Sequence, residues 1–441
     1  MNWKMEKRLI WGIALLLTAC ATDSSKELNV DDAKMLHNSV LKLTDVQVHD
    51  IFSPPVASRI YAYPSIAAYE VMVNGSDEYV SLGGQLTDFK TPPAPEKEVY
   101  LPLSSVYAYL EVGKALIFSE EKIEEYRQEI LVDYQEGLSK KVYNNSVEYG
   151  NTVAQHILAW ADNDNYKQTR TYPKFNVNTE TGRWVPTPPG YMEAIEPHWS
   201  QMRPFAIDSA NQFSPIRPTD YDMTEGSEFY KEVMEVYDIS NNLSEEQIEI
   251  ASFWDCNPYV MHTQGHVMFA TKKITPGGHW IHIAETVSRD ANQDIMGASA
   301  TYALTSIAIA DAFISCWDEK YRSNLIRPET VINKFIDKEW LPVLQTPPFP
   351  EYTSGHSVVS GAGGIALTHI FGDVHFVDST EVKYGLPVRE FDSFIEASDE
   401  AAISRLYGGI HYMPAIENGV DQGRALGRYL VGKINLKKSE M

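Results

Sequence analysis

Three short stretches toward the C-terminal end of the chain carry the residue types from which a site for a tetrahedral oxyanion can be built. Six residues separate Lys320 from Arg327-Pro328, then comes Ser354-Gly355-His356, and five residues separate Ser404-Arg405 from His411. Arginine forks bind the oxygens of such an anion bidentately, while lysine supplies a compact point charge. Ser354 and the Gly355 amide fall where a helix is expected to start, so both can donate at the positive end of its dipole. Of the two imidazoles, one could bond the central atom and the other could move protons. Each stretch alone is weak: Ser-Gly-His is common, and a lone His is most often a satisfied core residue. The weight lies in their order and spacing.

The elements that must position these residues are mainly helical. Asp31 to Ile51 places Met35, Leu36, Val40, Leu43, Val46 and Ile51 at three-and-four spacing, and Glu120 to Leu138 and Tyr143 to Trp160 follow the same rule. Ser244-Glu245-Glu246-Gln247 is a capping box that opens a helix running to about Trp254. The longest helical signal covers Asp290 to Lys320; Asp294 and Asp311 interrupt its apolar run, which predicts a buried core helix and not a membrane span. No series of alternating strands and no internal repeat stands out. Two proline-rich segments, Tyr172 to Phe205 and Leu341 to Tyr352, cannot be helical. Long ordered loops in a helical domain serve either as walls of a site or as structural straps.

Composition narrows the function classes. Lys and Arg total 37 against 60 Asp and Glu, giving a net charge of −23; a field of that sign repels a phosphate backbone, so nucleic acid is excluded as the expected partner. Three cysteines (Cys20, Cys256, Cys316) are too few for a disulfide scaffold or a cysteine-rich zinc cluster. The N-terminus explains the first. Lys4, Lys7 and Arg8 precede the apolar run Leu9 to Leu17, and Leu17-Thr18-Ala19-Cys20 resembles a bacterial lipobox. Residues 1–19 are expected to be a lipoprotein signal peptide, Cys20 the lipidated residue, residues 20–30 a tether, and the protein an exported lipoprotein on the periplasmic or outer-membrane side, touching membrane only through its lipid. Whether Cys256 and Cys316 pair is left open. Residues 31–441 read as a single helical domain, divided into an N-terminal part (31–240) and a C-terminal part (241–435) with the site.

Lys-x6-Arg-Pro, Ser-Gly-His and Ser-Arg-x5-His, in that order, resemble the signature of the acid phosphatase and vanadium haloperoxidase superfamily. The likeness extends to Pro54-Pro55-Val56-Ala57-Ser58-Arg59, the Trp184 to Pro189 loop, Ile250 to Trp254, Gly278-His279-Trp280 and Ile309 to Asp318. Within that superfamily the chain resembles the bacterial vanadium-dependent haloperoxidases, and among them the iodoperoxidases. The resemblance implies an all-α fold of two packed four-helix bundles with long Pro-rich loops and the oxyanion pocket in the C-terminal bundle. It implies vanadate as cofactor, with phosphate able to occupy the same site. It implies His411 as the axial ligand of vanadium, and Lys320, Arg327, Arg405, Ser354 and the Gly355 amide around the oxygens. His356 would be the acid–base imidazole. Phe349, Trp317, Asp318 and Tyr259 are candidates for the halide pocket, although Tyr259 reads equally well as an aromatic core residue.

The implied reaction is oxidation of iodide, with bromide as a second halide, by hydrogen peroxide to hypohalous acid. The same cage suits an acid phosphatase, in which His411 would attack a phosphoester and His356 would protonate the leaving alcohol. A third reading, a non-catalytic binding lipoprotein of the outer membrane, gives no reason for the clustered cations. Two positions depart from the superfamily pattern: Thr353 stands where Pro is usual, and Ala415 stands four after His411, where many members have an acid that orients the imidazole. Glu417, Asn418 or a backbone carbonyl is then expected to take that role.

Overall fold

The computed structural model describes residues 28–258, 260–264 and 267–438, so the expectations for Cys20 and Tyr259 lie outside the described residues. The first half of the chain contributes α1 (Asp32–Asp50), α2 (Pro54–Val73), α3 (Leu101–Ala115), α4 (Glu120–Gly137), α5 (Lys140–Ala161), the single turn α6 (Tyr166–Thr169) and α7 (Glu228–Asn241). The second contributes α8 (Glu245–Phe253), α9 (Pro276–Asp290), α10 (Ile295–Ser323), α11 (Pro328–Phe335), α12 (Gly355–Phe371), α13 (Phe394–Tyr407) and α14 (Met413–Lys433). Two antiparallel hairpins complete the described residues, β1 (Val260–Gln264) with β2 (Val267–Thr271) and β3 (Phe376–Asp378) with β4 (Arg389–Phe391). Strands of three to five residues give too few alternations for a period of two to register in a sequence.

Helices α1 to α5 pack around α3, and α10, α12, α13 and α14 pack around α12, so the two expected bundles are present. They join along α2 and α10, and one apolar core runs through both. Helix α7, in the N-terminal part by chain order, packs on α11 and α13 of the other bundle. The capping box at Ser244 forms with both reciprocal bonds. The long helix starts later than its apolar period suggests. Asn292 turns the chain at φ 51° after α9, and Asp294 caps α10 by accepting from the Gly297 amide at 2.8 Å.

Helix α10 is apolar enough to cross a membrane, but its apolar stretch is wholly buried inside the protein, as expected for a core helix. Asp311 sits in it with no exposure and accepts from the amides of Phe205, Ala206 and Ile207 at 2.7–2.9 Å. The charge that breaks the apolar run thus anchors the end of the first proline-rich loop. Because both carboxylate oxygens accept, an amide in either orientation turns its NH2 toward a buried N–H. Asp311→Asn is therefore expected to destabilise the fold by about 2–4 kcal/mol, measured by denaturant unfolding.

Close approach of α14 to α12 depends on small residues. A Cβ on Gly423 would lie 2.1 Å from the Val358 carbonyl oxygen, and one on Gly419 would lie 2.8 Å from the Ser357 Cβ. This packing brings the turn that carries His411 against the N-terminus of α12.

Candidate active site

Five helices and their flanking turns deliver the predicted cage residues to one place. Lys320 comes from the last turn of α10 and Arg327 from the residue preceding α11; Ser354 caps α12; Arg405 lies in the last turn of α13, and His411 in the turn before α14. Ser354 Oγ accepts from the Ser357 amide at 3.3 Å, while its own amide donates to the Ala415 carbonyl at 2.9 Å. Gly355 therefore opens α12 with its amide in the unpaired first turn. A Cβ there would fill the space against Trp317 and the Lys320 side chain, at 3.7 and 4.0 Å.

His411 is held from both sides. Its Nδ1 lies 2.8 Å from Glu351 Oε1, which also accepts from the Tyr412 amide at 3.0 Å. A guanidinium can only donate, so Nε2, 3.1 Å from Arg327 Nη1, presents its lone pair and Nδ1 carries the proton that Glu351 accepts. Arg327 is fixed by the carbonyls of Phe349 (2.9 Å) and Ile410 (2.8 Å), and its Nη2 is buried with no hydrogen-bond partner. Arg405 donates to Ser404 Oγ at 2.9 Å and to the Trp254 carbonyl at 2.6 Å. His356 bonds the backbone of Trp254 as well, and its Nε2 is a second buried nitrogen without a partner.

Lys320 does something the sequence did not suggest. All three ammonium protons go to backbone carbonyls of the second proline-rich loop, those of Pro350, Glu351 and Thr353. It clamps the loop and acts on the cage as a charge behind it. The charges in the cage perturb one another. Burial lowers Lys320 to about 8, with Arg327 adding to the effect, and burial lowers both Arg327 and Arg405 to about 10. Burial, reinforced by the surrounding cations, holds His356 and His411 well below the usual imidazole range, so both are neutral at pH 7. Burial raises Glu351 to about 7 against the pull of Arg327 and Lys320.

Gly355, His356, Arg405 and His411 line one end of a cavity of ≈ 70 Å³. That is several times the ~10–15 Å³ that one water needs. Its other walls are mostly apolar, with Asp255, Asn257 and Gln345 as polar exceptions: Met192 and Ile195 come from the first proline-rich loop, Pro348 and Phe349 from the second, and Trp317 from α10. Both loops thus wall a site. Trp317 and Phe349 meet at 5.0 Å between centroids, and the Lys320 and Arg327 charges lie 5.0 and 5.1 Å from the Phe349 ring. Asp318 is not part of this wall. Successive helical residues point about 100° apart, so Trp317 faces the cavity while the Asp318 carboxylate accepts from Arg322 Nε at 3.2 Å.

The orienting acid of His411 is Glu351, and not Glu417, Asn418 or a carbonyl as expected from sequence. It is the one charged residue in the Leu341 to Tyr352 segment, and that isolation was the signal available. It approaches from the loop side, while Ala415 is buried and its carbonyl accepts from the Ser354 amide. The Trp254 carbonyl shared by Arg405 and His356 gives no sequence signal.

Two fixed guanidinium groups beside an imidazole lone pair and a helix N-terminus, with a buried lysine charge behind them, define a helical protein built to hold a tetrahedral oxyanion that a histidine can ligate. The VCPO second helical-bundle domain matches residues 300–437. A bacterial vanadium-dependent iodoperoxidase of known structure is 52% identical, with a TM-score of 0.88, 94% of this chain and 99% of that one being covered. Holo-type and apo-type structures of a bacterial vanadium-dependent chloroperoxidase share the fold at 17% and 16% identity, each with a TM-score of 0.67, covering 87% and 92% of this chain and 93% and 98% of those. No curated protein matches. The chain belongs to the vanadium-dependent haloperoxidases.

The residues present fit vanadate. Among the described residues, a buried donor nitrogen, Arg327 Nη2, and a buried acceptor nitrogen, the His356 imidazole Nε2, lack partners. The His411 lone pair is of the type that ligates metals, and the cage carries the opposite charge to the anion.

Proposed function

We propose that the protein oxidises iodide with hydrogen peroxide, I⁻ + H2O2 + H⁺ giving HOI + H2O, with vanadate in the cage. The observation that carries this reading is the His411 arrangement. Glu351 accepts from Nδ1 and so fixes the tautomer that leaves the Nε2 lone pair for vanadate, whose oxygens Arg327, Arg405 and the Gly355 amide would hold. The 52% identity to an iodoperoxidase supports the choice of halide.

Bound vanadate supplies a Lewis-acidic centre that activates peroxide without changing its own oxidation state. The chain supplies the rest. Arg327 and Arg405 hold oxygens and offset their charge. The Lys320 ammonium, buried behind the 350–353 carbonyls, adds an unscreened positive field. His356, neutral and with a free Nε2, accepts the proton that peroxide gives up and returns it to the departing hydroxide. The apolar walls of Trp317, Phe349 and Ile195 exclude bulk water and suit a large, weakly hydrated halide.

The test is iodide oxidation by stripped protein reloaded with orthovanadate, with phosphoester hydrolysis assayed in parallel. Activity is expected only after vanadate loading, and phosphate, of the same shape and charge, is expected to compete for the cage. Peroxidase activity in metal-free protein, or indifference to phosphate, would contradict the reading.

Export as a lipoprotein is part of the same proposal, motivated by the lipobox-like Leu17 to Cys20. Mass spectrometry of membrane-extracted protein checks it: the expected N-terminus is a diacylglyceryl-modified Cys20, and an intact Met1 refutes it.

A further inference from the structure

Next to Trp254 a second polar cluster is buried beside the oxyanion cavity, which its Cys256 also lines. Cys256 follows α8, His279 stands in the first turn of α9, and Glu381 lies just beyond β3; they are 1%, 0% and 0% exposed. Cys256 Sγ lies 3.4 Å from His279 Nδ1, Glu381 Oε1 lies 3.5 Å from the same nitrogen, and the three ligand atoms all fall within 4.8 Å of one another. Beyond that contact with His279, neither carboxylate oxygen of Glu381 has a hydrogen-bond partner among the described residues. A buried carboxylate without a hydrogen bond on either oxygen is strongly disfavoured unless something cationic sits against it.

We propose that this cluster is a binding site for a divalent transition metal of the zinc type, with Cys256, His279 and Glu381 as ligands and water in the fourth position. The spacing suits it. Zinc takes sulfur at ~2.3 Å and nitrogen or oxygen at ~2.0–2.2 Å, so tetrahedral ligands stand roughly 3.3–3.6 Å apart. The two measured separations lie in or beside that interval. The second nitrogen of His279 is already prepared, since Nε2 donates to Asp378 Oδ2 at 2.7 Å, leaving Nδ1 for the metal. A carboxylate behind a ligating imidazole is the usual way of fixing its tautomer and raising its basicity. Asp378 is fixed in turn by the Thr380 amide at 2.9 Å. On binding, the Cys256 thiol gives its proton to solvent and the thiolate takes its place on the metal.

The site would act as a clasp. Its three ligands tie the turn after α8 to α9 and to the β3–β4 connection. The Trp254 ring stacks on His279 at 4.5 Å and 22°, and the Trp254 carbonyl accepts from Arg405. A metal here would hold the cage's own scaffold from the Cys256 side of the cavity.

The test uses the full chain. Metal content is measured as purified, then after chelator treatment and addition of Zn²⁺ or Co²⁺, without vanadate. The expected result is one metal per chain, a thiolate-to-cobalt charge-transfer band in the near ultraviolet with Co²⁺, and a rise in thermal stability on loading. Cys256→Ser should abolish the band, and the isosteric Glu381→Gln should lower affinity at least tenfold. Absence of stoichiometric metal in the wild-type chain both as purified and after loading overturns the proposal, whatever the variants do. A band that survives Cys256→Ser overturns it too, because the sulfur would then be another residue's.

Discussion

Glu351→Ala should weaken vanadate binding by about 10–100-fold, the usual cost of removing the carboxylate behind a ligating imidazole. Two effects compete in this variant. Removing a buried acid makes the cage more cationic, which alone would tighten an anion. Because burial has already raised Glu351 to about 7, much of that charge is titrated near neutral pH, and the gain is small. The loss is larger: without Oε1, neither His411 Nδ1 nor the Tyr412 amide keeps its acceptor, and the imidazole is free to move its proton to Nε2, where no lone pair is left for the metal. Glu351→Gln separates the two effects. Its amide oxygen accepts from the same two donors while the charge is gone, so it should bind vanadate as well as the wild type or better. Equilibrium dialysis of vanadate against the three proteins measures this. If the Ala variant binds as tightly as the Gln variant, Glu351 does not position His411.

The two imidazoles should separate cleanly when each is removed. His411→Ala is expected to abolish vanadate retention, because Arg327 and Arg405 hold oxygens but form no bond to the metal. His356→Ala should keep most of the binding, since its ring is tied to Trp254 at the cavity end and the other cage groups do not depend on it. Turnover should nevertheless fall by about 10²–10⁴-fold, the typical worth of a positioned acid–base group. Dialysis and iodide oxidation on the same preparations give both quantities. A His356→Ala protein that loses vanadate as completely as His411→Ala would refute the division of roles.

Much of the cage could be read from the chain because its residues lie in motifs whose internal spacing is that of the elements carrying them. Ser354-Gly355-His356 is a cap and a first helical turn, and the expected start of α12 is where it occurs. Helices with a clear apolar period, such as α1 and α4, have the ends their pattern predicts, to within about a residue. Groups supplied by an unrelated segment were not legible. Glu351 reaches His411 across 60 positions, and Trp254 reaches Arg405 across 151. Neither contact has a periodic or motif signature. Backbone carbonyls are invisible in a sequence altogether, which is why the clamp made by Lys320 could not be anticipated. The two cysteines whose pairing was left open are both free, Cys256 on His279 and Cys316 beside Thr353. Asp318 was misread for a different reason: adjacency in sequence to Trp317 means divergence on a helix.

The stretch from Pro347 to His356 contributes far more than its ten residues suggest. Phe349 gives an aromatic wall with its ring and fixes Arg327 with its carbonyl. Pro350, Glu351 and Thr353 anchor Lys320, Glu351 orients His411, and Ser354 to His356 supply the helix start and the proton carrier. Among the cage groups only Arg405 neither belongs to this stretch nor bonds to it. For engineering, this makes the stretch an indivisible cassette. Transplanting its aromatic position alone into a relative would carry the halide wall without the histidine's orienter, whereas exchanging the ten residues as a block would transfer wall, orienter and clamp together.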